Sequence, residues 1–302
     1  MVPTATETVA HAPVAVEPSH EWGFAAGDEI ASGLQAQQLL GGGERYEAYV
    51  AWNEELLAPT VVKILRPDRR GPGARAGLAR EADLLAGLQH PGLVRLFEAD
   101  VESPRPFLEI EFLDGPRLST LLRRHGRLLP EQLFPLARHL CSTLHYLHRR
   151  RIVHLDVKPR NIIMGPVPRL IDLSVAHRFE ELPTIRGTIG TDAYMAPEQC
   201  DPARFATIGP AADVWGLGVT LYEASTKRRP FPAGHREADG AGRFPQLALD
   251  PAPLPAKVPG PLADLIMACL APDPSARPLP AQLFEAFDEL ASRTGLVRIS
   301  LR

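Results

Sequence analysis

A chain of 302 residues is long enough for one large domain or two lobes around a substantial apolar core. Hydrophobic residues make up 45% of it and charged residues 23%, which is typical of a globular protein. The formal charge of −3 is nearly balanced, so the composition gives no reason to expect nucleic acid as a partner. No run approaches the roughly 18 apolar residues of a membrane helix, and the N-terminus lacks the basic start and apolar core of a secretory signal.

Cysteine usage indicates a reducing compartment. Cys141, Cys200 and Cys269 are widely spaced and lack the spacing of metal ligands, which favours free thiols over a disulfide framework. We therefore expect a cytoplasmic protein. Only four of the 33 basic residues are lysines, so a lysine inside an apolar run needs an explanation.

The first third of the chain predicts a leader and a small sheet. Residues 1–28 are rich in Ala, Pro, Thr, Val and Glu without sustained periodicity, which predicts a disordered leader. Apolar residues at helical spacing predict one helix within residues 76–89. Short strand-like runs lie on both sides of that helix, at 38–40, 46–52, 60–65, 93–98 and 106–112.

Beyond residue 112 the pattern turns helical. Pro130 marks a helix start, and an apolar stripe continues from there to Leu147. Three further helices are expected at 212–226, 262–270 and 280–291. The predicted fold class is therefore α+β, with a small antiparallel sheet and one main helix followed by a mainly helical part.

Two features of the first part could take part in anion binding, and a helix glutamate follows them in the chain. The string Leu40-Gly41-Gly42-Gly43 would let the backbone close over a phosphate, although a plain β-turn is the more common source of such a string. Lys63 stands in an apolar run, which is costly unless its ammonium meets an anion; a lysine that snorkels to solvent is an equal alternative. Glu81, on the predicted helix, would by itself be read as a solvated surface residue.

The order of these features, followed by His90-Pro91-Gly92, resembles the small lobe of protein kinases. In that family the lysine holds the α- and β-phosphates of ATP, and the glutamate pairs with the lysine. The resemblance implies a bilobal kinase fold over residues 34–292, with a small lobe at 34–112 and a large lobe at 113–292 ahead of a short end at 293–302. It also implies ATP contacts at Leu40, Gly41, Gly42, Gly43, Ala48, Val61, Lys63, Ile110, Glu111 and Leu113.

A second segment resembles the kinase catalytic loop, His-x-Asp-x-Lys-x-x-Asn, between apolar flanks at residues 152–164. The resemblance implies that Asp156 accepts the proton of the attacking hydroxyl and that Lys158 neutralises charge on the transferring phosphoryl group. Asn161 would bind Mg²⁺ together with Asp172, which stands where the family has its metal-binding aspartate; Mn²⁺ is an alternative ion. A lysine two residues after the catalytic aspartate is the pattern of the serine/threonine type.

Residues 190–198 resemble the end of a kinase activation segment, which implies that Thr191 hydrogen-bonds Asp156 and Lys158. Glu198 of this segment is expected to pair with the distant Arg277, because a buried glutamate without such a partner would be too costly. Asp213 matches the family residue that anchors the catalytic loop from below. The resemblance gives these three residues a structural role.

The sequence departs from the family pattern in both lobes. Tyr46 replaces the third glycine of the glycine loop. Leu173 and Ser174 stand where the family has phenylalanine and glycine after the metal-binding aspartate. Leu155 replaces an arginine that in many kinases receives an activation-loop phosphate, so we hypothesise that activity does not strictly require such phosphorylation.

The resemblance predicts a serine/threonine protein kinase that transfers the γ-phosphate of ATP to hydroxyls of protein substrates, with autophosphorylation as an open question. The general look is that of bacterial serine/threonine kinases. Two alternatives stay open. One is a pseudokinase that serves as a nucleotide-binding or scaffold module, which the altered glycine loop and Leu173-Ser174 keep in consideration. The other, weaker alternative is a kinase for a small molecule.

Overall fold

The computed structural model describes residues 20–205 and 207–293. The first part of the chain forms a six-stranded antiparallel sheet and one long helix. In chain order these elements are β1 (Glu29–Ala31), β2 (Leu34–Gly42), β3 (Tyr46–Asn53), β4 (Ala58–Leu65), α1 (Pro72–Ala86), β5 (Leu96–Asp100) and β6 (Phe107–Glu111). The strands lie in the order β1-β2-β3-β4-β6-β5. The five predicted strands and the predicted helix are therefore present.

The rest of the described chain is mainly helical. Two two-stranded sheets frame the predicted catalytic loop; their four short strands are β7 (Ile152–Val153), β8 (Ile162–Ile163), β9 (Arg169–Leu170) and β10 (His177–Arg178), with β7 paired to β10 and β8 to β9. The helices are α2 (Leu118–His125), α3 (Pro130–Arg149), α4 (Pro197–Cys200), α5 (Ala211–Thr226), α6 (Gly240–Arg243), α7 (Gly260–Cys269) and α8 (Pro280–Arg293). The predicted α+β, two-lobed architecture is confirmed. Within the residues described, no helix combines the length and apolarity needed to cross a bilayer.

Alternation along the central strands separates the two faces of the sheet. In β3 every second residue is buried, and the register of β3 with β4 places Ala48 opposite Lys63. Because side chains of neighbouring strand residues point to opposite faces, Lys63 points away from the face that buries Val62 and Ile64. The sheet thus presents Lys63 to α1.

The structure differs from the predicted leader over residues 20–28, while residues 1–19 lie outside the described part. Trp22 and Phe24 stack on each other, with ring centroids 5.7 Å apart, and pack against the apolar cluster on the outer face of the sheet. The indole of Trp22 donates a hydrogen bond to the Leu65 carbonyl over 2.8 Å. Two aromatic rings supply enough apolar area to hold a segment that composition alone assigns to a leader.

The helices of the large lobe enclose one apolar core. The stripe predicted along α3, from Leu133 to Leu147, is buried, and α5 is buried on nearly all sides between α3 and α7. The predicted bounds of α1 lie four residues late at its start, because Pro72 begins the helix in the first-turn position that proline favours. Sequence periodicity missed β1 and α2, which are too short to show a repeat.

The predicted pair of Glu198 and Arg277 is present in the core of the large lobe. Two hydrogen bonds of 2.6 and 2.9 Å join the guanidinium to the carboxylate, and both side chains are at most 1% exposed. Arg277 also donates to the carbonyls of Ala211 and Ala271 and lies over the ring of Trp215. One bidentate pair therefore ties α4, the start of α5 and the turn before α8.

We expect Arg277→Met to lower the free energy of unfolding by about 3–5 kcal/mol, because it leaves the Glu198 carboxylate buried without a counter-charge. Chemical denaturation measures the change. Arg293→Met is the matched control, since Arg293 pairs with Glu289 on the exposed face of α8, and it should have no measurable effect. A loss below about 1 kcal/mol for Arg277→Met would contradict this account.

Candidate active site

Lys63 binds two carboxylates at once. Its ammonium lies 2.9 and 2.7 Å from the two oxygens of Glu81 and 2.9 Å from Oδ1 of Asp172. Glu81 sits on the buried face of α1 and also accepts a hydrogen bond from the backbone amide of Leu173. The pair predicted between a strand lysine and a helix glutamate is thus present, and a third charged group joins it from the large lobe.

Burial and opposite charges set the ionisation of this cluster. Burial opposes the charge on Lys63, but the carboxylates of Asp172 and Glu81 outweigh it and raise the pKa of the ammonium. Burial would raise the pKa of Asp172, yet the Lys63 ammonium lowers it well below its usual range. Lys63 and Asp172 are therefore both charged across the neutral pH range.

The catalytic-loop residues converge on a second cluster. The Lys158 ammonium lies 2.6 Å from Oδ2 of Asp156 and 2.5 Å from the hydroxyl of Thr191, and that hydroxyl donates to Oδ1 of Asp156 over 2.8 Å. Lys158 and Thr191, 33 positions apart in the chain, thus share one carboxylate. The contacts predicted for Thr191 are confirmed, and the Asp156 carboxylate is held in one orientation.

Asp213 fixes the loop that carries Asp156. Its buried carboxylate accepts hydrogen bonds from the backbone amides of His154 and Leu155, over 2.9 and 2.7 Å, and lies 2.8 Å from Nε2 of His148. These bonds hold Leu155 in a left-handed conformation with φ of 63°, which costs free energy for a non-glycine residue. The predicted anchoring contact from α5 to the loop is present.

The donor atoms near the two clusters fit a magnesium ion. The side-chain amide of Asn161 donates to the backbone and carboxylate oxygens of Asp156, which leaves its own oxygen as an acceptor. Oδ2 of Asp172 accepts no hydrogen bond within the described part of the chain. The backbone amide of Ile171 donates a hydrogen bond to the Asn161 carbonyl. Because Ile171 directly precedes Asp172, Asn161 and Asp172 lie near each other. Magnesium takes oxygen ligands and keeps several waters, so two protein ligands suffice.

Most of the residues predicted to surround ATP lie on or beside strands β2, β3, β4 and β6. Leu40, Gly41 and Gly42 end β2, and Gly43 begins the turn to β3. The register of β4 with β6 places Val61 opposite Ile110. Beyond β6 the chain leaves the sheet at residue 111, and the side chain of Glu111 pairs with Arg95, so that residue has only backbone groups to offer a ligand. Ala48 lies opposite Lys63 in the register of β3 with β4, and Leu113 follows two residues after the end of β6.

A family model described as protein kinase domain matches residues 34–286. The chain belongs to the protein kinase family. The resemblance stated from the glycine loop, strand lysine and catalytic loop is confirmed, and the bilobal fold with it. The order of a strand lysine, a helix glutamate and the later catalytic-loop residues thus identified the family correctly.

Two bacterial kinases and a plant kinase illustrate the similarity. The chain is 29% identical over 254 residues to serine/threonine-protein kinase PknB of Mycobacterium tuberculosis, covering 80% of this chain and 40% of that protein. It is 32% identical over 229 residues to the probable serine/threonine-protein kinase PkwA of Thermomonospora curvata, covering 74% and 30%. It is 32% identical over 246 residues to mitogen-activated protein kinase kinase kinase 1a of Physcomitrium patens, covering 80% and 32%. The chain therefore spans less than half the length of these relatives.

Tyr46, which replaces the third glycine of the glycine loop, contacts the charged cluster. The Lys63 ammonium lies 4.5 Å from the centroid of its ring, a favourable cation–π distance. The ring is half-buried, and a Cβ on Gly77 of α1 would lie 3.9 Å from its hydroxyl. Tyr46 therefore bridges the glycine loop, Lys63 and α1, where a glycine would leave open space. The sequence signalled the substitution but not this contact.

Two other residues of the site escaped sequence reasoning. Gln199 donates from its side-chain amide to the carbonyls of Leu155 and Ile189, over 3.0 and 2.9 Å, and so links the catalytic loop to the activation segment. Gly190 has φ of 113°, and a Cβ there would lie 2.7 Å from the Leu155 carbonyl, so only glycine fits. Gly190 belongs to the segment that resembles the end of a kinase activation segment, but neither residue carries a charge that would indicate these contacts.

Proposed function

We propose that this chain is a serine/threonine protein kinase that transfers the γ-phosphate of ATP to hydroxyls of protein substrates. The observation that carries the proposal is the convergence of Lys63, Glu81 and Asp172 beside the separate cluster of Asp156, Lys158 and Thr191. The names of the kinase relatives support the same activity. No observation favours the pseudokinase or the small-molecule kinase, because each charged group that transfer requires is present and paired.

The charges of the site residues suggest a separate role for each of them in the transfer. Lys63 is held charged by two carboxylates and would orient the α- and β-phosphates of the nucleotide. Asp156, fixed by Lys158, Thr191 and Asn161, would accept a hydrogen bond from the attacking hydroxyl and then its proton. Lys158 would offset negative charge on the group in transfer.

We propose that Asn161 and Asp172 hold Mg²⁺, with Mn²⁺ as an alternative, and that the ATP-contacting and structural residues act as the family resemblance implies. When bound, the ion would neutralise negative charge on the phosphates. We also propose that the kinase domain spans residues 34–292 and that the protein is cytoplasmic.

Two single variants test the chemistry. We expect Lys63→Met and Asp156→Asn each to reduce phosphate transfer to a protein substrate by at least about a thousandfold, because each removes a group required in the transition state. Transfer from labelled ATP with Mg²⁺ measures the loss, and circular dichroism checks that both variants are folded. Asp264→Asn, on the exposed surface of α7, is the control and should retain activity. Activity close to the unaltered protein in Asp156→Asn would contradict the assignment.

The replacement of the phosphate-receiving arginine by Leu155 generates a second prediction. Leu155 is 3% exposed and apolar, so it offers no charge to a phosphate on Thr184 or Thr188. We therefore propose that activity does not strictly require phosphorylation of this segment. The Thr184→Ala, Thr188→Ala double variant should retain most of its transfer activity toward a protein substrate. A near-total loss of activity would refute the proposal.

A further inference from the structure

The mouth of the site around Asp156 carries arginines without carboxylate partners. Arg160 lies in the short turn between Lys158 and Asn161, and its side chain is exposed. Arg117 precedes α2, and its backbone pairs with Ile163 just beyond that turn. Within residues 20–205 and 207–293, neither arginine forms an ion pair with a carboxylate. We call these two arginines, together with the exposed Arg229 shortly after α5, the cationic rim.

Arg117 lies close to Arg160 and is half-buried. Burial, and then the positive charge of Arg160, lower the pKa of the Arg117 guanidinium, while Asp172 opposes that change. A half-buried guanidinium beside a like charge is costly unless an anion arrives from outside. The Asp172 carboxylate compensates these two positive charges only in part, so this side of the site favours a negatively charged ligand.

Arg229, three residues beyond the end of α5, adds a third positive charge near Tyr194 of the activation segment. Burial and the Glu223 carboxylate raise the pKa of the Tyr194 hydroxyl, whereas the charge of Arg229 opposes them. The charge of Asp156 also acts on this hydroxyl, so Arg229 and Asp156 both lie in the neighbourhood of Tyr194. The Glu223 carboxylate already accepts a hydrogen bond from Tyr194 over 2.5 Å. Arg229 is exposed within the run Lys227-Arg228-Arg229.

We propose that the cationic rim selects protein segments in which acidic residues flank the phosphorylated serine or threonine. The proposal rests on the proposed kinase function and adds a substrate class to it. The chain as a whole carries a formal charge of −3, so positive charge gathered around the catalytic aspartate is a local feature. Complementary charge of this kind raises the rate of encounter and suppresses partners of like charge.

Three peptides that share one central threonine and differ only in flanking Glu, Ala or Arg residues test the proposal. We expect kcat/KM for the Glu-flanked peptide to exceed that for the Arg-flanked peptide by at least about tenfold at low ionic strength. Added salt should shrink the difference, because it screens exposed charges. Equal use of the three peptides, or preference for the Arg-flanked one, would overturn the cationic rim while the kinase proposal stands. Phosphorylation of none of them, with no transfer to any protein, would overturn both.

Charge reversal in the protein separates recognition from damage to the fold. The Arg160→Glu, Arg229→Glu variant should lose about tenfold or more in kcat/KM on the Glu-flanked peptide and gain on the Arg-flanked peptide. Activity on the Ala-flanked peptide reports the intact site, and a gain on any peptide cannot come from misfolding. Lys257→Glu, which reverses an exposed charge on the loop before α7, is the matched control and should leave the preference unchanged. An unchanged preference in the double variant would also overturn the proposal.

Discussion

The buried ammonium of Lys63 is the constraint on which the rest of the site depends. A lysine on a sheet face turned toward a cleft is stable only with anions beside it, and here the anions come from two separate elements. Glu81 reaches it from α1 and Asp172 from the segment after β9. The same electrostatic need therefore fixes the position of α1 on the sheet and joins the small lobe to the large one.

Charged groups of the large lobe are also held by fixed partners in and around the second cluster. Asp156 is oriented by Lys158 and Thr191, and the loop that carries it is held by Asp213 from α5. Glu198 and Arg277 form a buried ion pair close to the start of α5. Because each buried charge has a fixed partner, the proposed reacting groups are oriented before any ligand binds, which is the property that electrostatic catalysis requires.

Sequence reasoning predicted the charged framework better than its uncharged supports. Lys63 was identifiable because a charged residue inside an apolar run stands out, whereas Glu81 and Asp213 were identifiable only through their match to the family pattern. Residues 20–28 were assigned to a leader because two aromatic rings among small and polar residues have no periodicity. The stacking of Tyr46 on Lys63 depends on how the glycine loop meets α1, a tertiary contact that leaves no trace in spacing.

Calorimetric titration of the unaltered protein and of Asp172→Asn with ATP, each in Mg²⁺ and in excess EDTA, tests the central claim most directly. That claim is that Asp172 serves both Lys63 and a metal ion. We predict that Mg²⁺ strengthens ATP binding to the unaltered protein by at least about tenfold and that this enhancement disappears in Asp172→Asn while the variant stays folded. An enhancement of equal size in Asp172→Asn would contradict the account.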